Sequence, residues 1–126
     1  MKKLSAVLAT VAFAVSAFAG EFADISIKEV NALTKSKKAV IIDVNGSESY
    51  KKGHVPGALD FDAIKGDLAS KLPSDKNALV VAYCGGPKCM AYQAAAKAAT
   101  KLGYKNVKHM SAGIAGWKEA GQTLEK

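Results

Sequence analysis

Two sulfur-bearing side chains fall in one short stretch of the 126-residue chain. Residues 82–92 read Ala-Tyr-Cys-Gly-Gly-Pro-Lys-Cys-Met-Ala-Tyr, and Cys84 and Cys89 are the chain's two cysteines. Such a pair can act as a sulfur nucleophile with a helper, close as a disulfide, or supply half of a metal site. Zinc is the weakest reading. Four residues separate the thiols, no second close pair accompanies them, and His54 and His109 are the only histidines available to complete a ligand set. No metal and no cofactor are expected.

The residues after Cys84 favour a nucleophile. Gly85 and Gly86 carry no side chain to keep a ligand from the backbone, so successive N–H groups can converge on one anion. The loop then leads into an alanine-rich helical pattern, whose amino end adds partial positive charge, and Lys88 adds a full one. Each influence lowers a thiol pKa, so a free Cys84 is expected to be more thiolate than an ordinary cysteine. Gly85, Gly86, Pro87, Lys88, Cys89 and Met90 form the expected anion cradle. A thiolate held there suits attack on sulfane sulfur or on another electrophile carried by an anion. Cys89 is either a resolving thiol that later attacks an oxidised Cys84, or its partner in a structural disulfide.

The surrounding pattern supplies a frame for this loop. Phe22–Ile25 and Ala58–Phe61 read as short strands, Ala39–Val44 and Ala78–Tyr83 as apolar strands buried on both faces, and Asn106–Met110 as a last strand. Between them, Ser26 with Glu29 is a capping box that starts a helix running to about Ser36. Ser47–Lys52 is a short helical turn, and Ile64–Leu72 a helix stopped by Pro73. Ala91–Leu102 is a helix capped by Gly103, and Ile114–Ala120 is a final helix with Trp117 on its apolar side. Alternating strands and helices give an α/β domain with a mainly parallel sheet, in which ligands bind beyond the carboxyl ends of the strands. Cys84 follows such an end directly.

The first nineteen residues stand apart. A Met-Lys-Lys head, an apolar stretch from Leu4 to Phe18 and Ala17-Phe18-Ala19 as a cleavage site read as a secretory signal peptide. Residues 20–126 are then a single exported domain with no membrane span, expected in the bacterial periplasm, where an oxidising environment favours disulfides. All 18 basic residues are lysines, and with Lys2 and Lys3 removed the domain carries about +5. The lysines are scattered, without aromatic interleaving or arginine forks, so nucleic acid is not an expected partner.

With these stretches in order, the sequence resembles the rhodanese-like (sulfurtransferase) domain family. The likeness covers about Ile25 to Gly121. It rests on "VIIDVNGSESYKKGHVPGALDFD" (40–62), "VVAYCGG", the helix after it, and "KLGYKNVKHMSAGIAGWKEAG" (101–121). It implies a five-stranded parallel sheet flanked by helices, and Cys84 as the residue that accepts sulfane sulfur as a persulfide and passes it to a thiol. Expected partners are small sulfur anions, thiosulfate or polysulfide, and protein or low-molecular-weight thiols. Asp43 and His54, in the first matching stretch, are supporting residues.

The departures from the family pattern are as specific as the matches. The family's loop commonly runs Cys-x-x-Gly-x-Arg-Ser, whereas here Pro87 replaces the glycine, Cys89 the arginine and Met90 the hydroxyl residue. Asn45 stands where an arginine is expected after Asp43-Val44. Lys88 is the one cation left in the loop, and as a point charge it does not clamp two oxygens. Weak thiosulfate:cyanide turnover is therefore expected, and phosphatase activity is not. Two alternatives stay open: a thiol–disulfide redox protein using Cys84 and Cys89, and a non-catalytic binding module that keeps the fold.

Overall fold

A computed structural model describes residues 22–126; the expected signal segment lies outside them. Five strands form one parallel sheet: β1 (Ala23–Asp24), β2 (Ala39–Asp43), β3 (Leu59–Asp60), β4 (Leu79–Tyr83) and β5 (Asn106–His109). Their spatial order is β1-β5-β4-β2-β3, which makes β4 the central strand. In sequence order they are connected by helices α1 (Ile27–Ser36), α2 (Ser47–Lys52), α3 (Phe61–Ile64), α4 (Leu68–Lys71) and α5 (Tyr92–Lys101), and α6 (Gly113–Glu119) follows β5. The α/β architecture read from the alternation is the one found.

Local signals set several boundaries. Ser26 Oγ accepts from the Glu29 backbone N–H at 3.1 Å while Glu29 Oε1 accepts from the Ser26 N–H, so both halves of the capping box form. Gly103, at φ +100°, lets the chain leave α5 through a left-handed turn that an L side chain would strain. One expectation fails. Residues 64–72 are not a continuous helix: α3 and α4 are single turns separated by a 3-10 turn at Lys65–Asp67. Asp60 caps the Asp62 N–H at 3.1 Å, so helix begins at Phe61. Gly66 and Asp67, both poor helix formers, then let the backbone tighten before Leu68 and Leu72 turn into the core.

The sheet has a core on each face, and β4 divides its side chains between them with the period of a strand. Val80, Ala82 and Cys84 belong to the cluster under α5, with Tyr92, Ala95, Ala96 and Ala99. Val81 and Tyr83 belong to the opposite cluster, with Val30, Val55, Met110 and Trp117. Cys84 therefore continues the Val80–Ala82 face, and its side chain is only 1% exposed. Residues beyond the last helix are tied down as well: Trp117 Nε1 donates to the Thr123 carbonyl at 2.7 Å, and His54 and Glu125 exchange two backbone hydrogen bonds of 2.9 Å.

Candidate active site

The candidate site lies where β4 ends. Parallel register pairs Asp43 of β2 with Tyr83 of β4, and Ala82 of β4 with His109 of β5. Three strand ends thus place Asp43, Cys84 and His109 along one edge of the sheet, the edge at which such folds bind ligands.

Cys84 and Cys89 are joined by a disulfide, with Cα atoms 6.3 Å apart. That separation is well within what a disulfide spans. In this state neither sulfur is a thiolate, so the ionisation anticipated for Cys84 belongs to the reduced loop. Cys89 is partly exposed and packs against the cluster that holds Cys84. Pro87, Lys88 and Met90 are exposed.

The backbone of the loop is polarised. Its first three carbonyls are occupied: Cys84 O accepts from the Ile114 N–H at 2.9 Å, Gly85 O from Ala115 at 3.0 Å, and Gly86 O from Cys89 at 3.1 Å. The N–H groups of Gly85, Gly86, Lys88, Met90 and Ala91 find no protein acceptor among the described residues. A run of unsatisfied donors beside a helix amino end attracts an anion. The first turn of α6 holds this arrangement, and it approaches so closely because residue 113 is glycine. A Cβ there would lie 2.6 Å from the Gly85 carbonyl group and from Gly86 N.

Beneath the loop is a buried polar network that the sequence did not reveal. Asp43 accepts from the Tyr83 hydroxyl at 2.6 Å and from the Asn45 N–H at 2.8 Å, while the same hydroxyl accepts from the Val55 N–H at 3.0 Å. Burial pushes the Asp43 carboxyl above its ordinary value, and the hydrogen bonds from Tyr83 and Asn45 pull it partly back. Burial and the carboxylate beside it also push the Tyr83 phenol far upward, so it stays a donor. Asp43 thereby fixes both the residue before Cys84 and the turn that carries Asn45. Asn45 reaches the loop: its Oδ1 lies 3.8 Å from where a Gly85 side chain would begin, and its Nδ2 is buried without a partner among the described residues. The sequence had offered only the signal that Asn45 replaces an expected arginine.

His54 is placed elsewhere. Its ring stacks on Tyr50 with centroids 3.6 Å apart, its Nδ1 lies 2.7 Å from the Tyr50 carbonyl and its Nε2 3.4 Å from Glu125. These contacts tie α2 to the tail, and none involves the cysteine loop.

His109 stacks face to face on Tyr92, at the amino end of α5, with centroids 3.4 Å apart. It is 8% exposed and its Nε2 has no partner among the described residues. Burial lowers its pKa below the ordinary 6.5, against a smaller opposing pull from Asp24. A histidine with a lowered folded pKa contributes stability that is full above 6.5 and is lost as pH falls through and below that value. The melting temperature of the wild-type protein should therefore drop more between pH 8 and pH 5.5 than that of His109→Phe, which keeps the stack. Taking the difference between the two proteins cancels the titration of Asp43. Parallel curves would show that the imidazole is not held neutral by the fold.

Comparison with known proteins agrees with this fold. The model of the rhodanese-like domain matches residues 26–120. The HTH-type transcriptional regulator Rv0324 of Mycobacterium tuberculosis is 30% identical over 121 residues, covering 94% of this chain and 52% of that protein. The tRNA uridine(34) hydroxylase of Erwinia tasmaniensis is 34% identical over 92 residues, 68% of this chain and 25% of that one. The human single-domain sulfurtransferase TSTD1 superposes with a TM-score of 0.59 at 24% identity, over 76% of this chain and 95% of that one, a likeness of fold. The chain belongs to the rhodanese-like domain family. It spans about half of the regulator's length and a quarter of the hydroxylase's.

Proposed function

We propose that this domain is an exported, periplasmic sulfurtransferase that accepts sulfane sulfur on Cys84 and discharges it with Cys89. The carrying observation is the polarised start of the loop, in which the carbonyls of Cys84, Gly85 and Gly86 are bound while the N–H groups of Gly85, Gly86, Lys88, Met90 and Ala91 find no acceptor among the described residues. In the reduced protein the Cys84 thiolate attacks the outer sulfur of thiosulfate, and sulfite leaves with the electron pair of the broken S–S bond. The product is a Cys84 persulfide, its charge held by the free amides of the loop. An external thiol then removes the terminal sulfur. Alternatively the Cys89 thiolate attacks the inner sulfur, hydrosulfide departs, and the Cys84–Cys89 disulfide forms. Polysulfides enter by the same first step, with a shorter polysulfide leaving in place of sulfite.

The test uses fully reduced protein and thiosulfate. Trypsin separates the cysteines at Lys88, onto peptides 77–88 and 89–97. Mass spectrometry of Cys89→Ser should show one added sulfur on 77–88 with sulfite released in equal amount. The wild type should release sulfite and hydrosulfide and close its loop. No adduct and no sulfite from either protein would end this reading. The disulfide itself favours a second one, a thiol–disulfide redox protein, which predicts oxidation and reduction of the pair with no dependence on a sulfane donor.

A further inference from the structure

The two sulfurs of the disulfide are not equivalent, and we infer that a dithiol reductant opens it by attacking Cys89, with Cys84 as the leaving group. The inference rests on the proposed sulfur chemistry only in that a closed loop must be reduced before Cys84 can react again. Its chemistry is otherwise separate.

Thiol–disulfide exchange needs the incoming thiolate to approach one sulfur in line with the S–S bond, and its rate rises as the pKa of the departing thiol falls. In the closed, disulfide-bonded loop access decides first. Cys84 is 1% exposed, on the strand face packed beneath α5 by Ala82, Tyr92 and Ala96. Cys89 is partly exposed, between exposed Lys88 and Met90. Met90, 57% exposed, is the one large apolar side chain left in solvent among the described residues. It stands next in sequence to the partly exposed Cys89, where it gives an approaching protein an apolar contact. The departing Cys84 sulfur sits in an apolar cluster, and the loop's amides are what offset that surrounding. A thiolate released at Cys84 lies at the strand end from which the free N–H groups of Gly85 and Gly86 follow.

The balance is that of a two-electron exchange. The reductant's first thiolate bonds to the Cys89 sulfur, the Cys84–Cys89 bond breaks and Cys84 departs as thiolate. The reductant's second thiol then attacks the mixed disulfide, giving the reductant's own disulfide and free Cys89. A monothiol stops at the first stage, where the Cys84 thiolate, held close by the loop, re-attacks Cys89 and expels it. The partner is therefore a dithiol, as a protein or a small molecule, and a supply of dithiol reducing equivalents must accompany the sulfur donor.

The experiment uses the oxidised wild-type protein and no sulfur donor. It is mixed with glutathione, quenched within seconds by acid, alkylated and cleaved at Lys88. The expected result is glutathione on peptide 89–97 and alkylation on 77–88, in at least ~10-fold excess over the reverse pattern. At equal thiol concentration dithiothreitol should reduce the protein at least ~10-fold further than glutathione. Glutathione mainly on 77–88, an even distribution, or equal reduction by the two reagents would overturn the inference. Because sulfite formation is not measured, these outcomes are independent of whether Cys84 accepts sulfur.

Discussion

Cys84→Ser is expected to eliminate thiosulfate-dependent sulfite release, a fall of about 10⁴-fold or more in kcat/KM. A serine hydroxyl stays protonated near neutral pH, and the amide donors that can hold a thiolate do not ionise an alcohol by themselves. The substitution also breaks the disulfide, so lost activity must be separated from lost stability. The loop closed between residues 84 and 89 is small, and chain-entropy arguments give its cross-link about 2 kcal/mol. Cys89→Ser breaks the same bond and bears the same cost, which makes it the internal control. It should accept a first sulfur within about 3-fold of the wild-type rate while releasing no hydrosulfide without an added thiol. If instead both variants lose activity to the same degree, the pair works as a unit and the redox reading gains.

The contrast between the two cysteines shows what local sequence carries and what it does not. The β-branched run at Ala39–Asp43 and the apolar run at Leu79–Tyr83 announce buried parallel strands, and the capping box at Ser26 and the turn at Gly103 announce helix ends, because each depends on neighbours along the chain. The position of Cys84 at a strand end is legible for the same reason. Its burial follows from the alternation Val80, Ala82, Cys84 once β4 is known to be central, which depends on strand order. Asp43 needed a partner that no local pattern names. Tyr83 is 40 residues away and meets it only because β2 and β4 pair with those two residues in register. The tail is a similar case. Glu125 pairs with His54 across most of the domain, and nothing in its own polar neighbourhood signals a strand. The helix expected at 64–72 failed because its apolar spacing survives in Leu68 and Leu72, while the backbone ahead of Leu68 is set by Gly66 and Asp67.

Gly113 is the residue that brings α6 against the cysteine loop, and Gly113→Ala should damage both stability and rate. The position has φ +65°, where a side chain costs about 1–2 kcal/mol. Strain alone understates the effect, because the new Cβ would sit 2.6 Å from the backbone of Gly85 and Gly86, atoms with no rotamer to change. Either α6 or the loop must move. Movement weakens the hydrogen bonds that Ile114 and Ala115 donate to the carbonyls of Cys84 and Gly85, the bonds that leave the loop's amides free for an anion. The combined loss should be about 3 kcal/mol in chemical denaturation, with sulfite release slowed about 10²-fold in the protein that remains folded. Gly57→Ala separates the two causes: Gly57 has φ +81° but nothing within 4 Å of its would-be Cβ, so it pays the strain without the clash. That variant should lose about 1 kcal/mol and keep its rate. Equal behaviour of the two variants would mean that α6 does not set the geometry of the cysteine loop. A slow rate in Gly113→Ala alone would locate the control of Cys84 reactivity in the packing of one helix turn against two glycines.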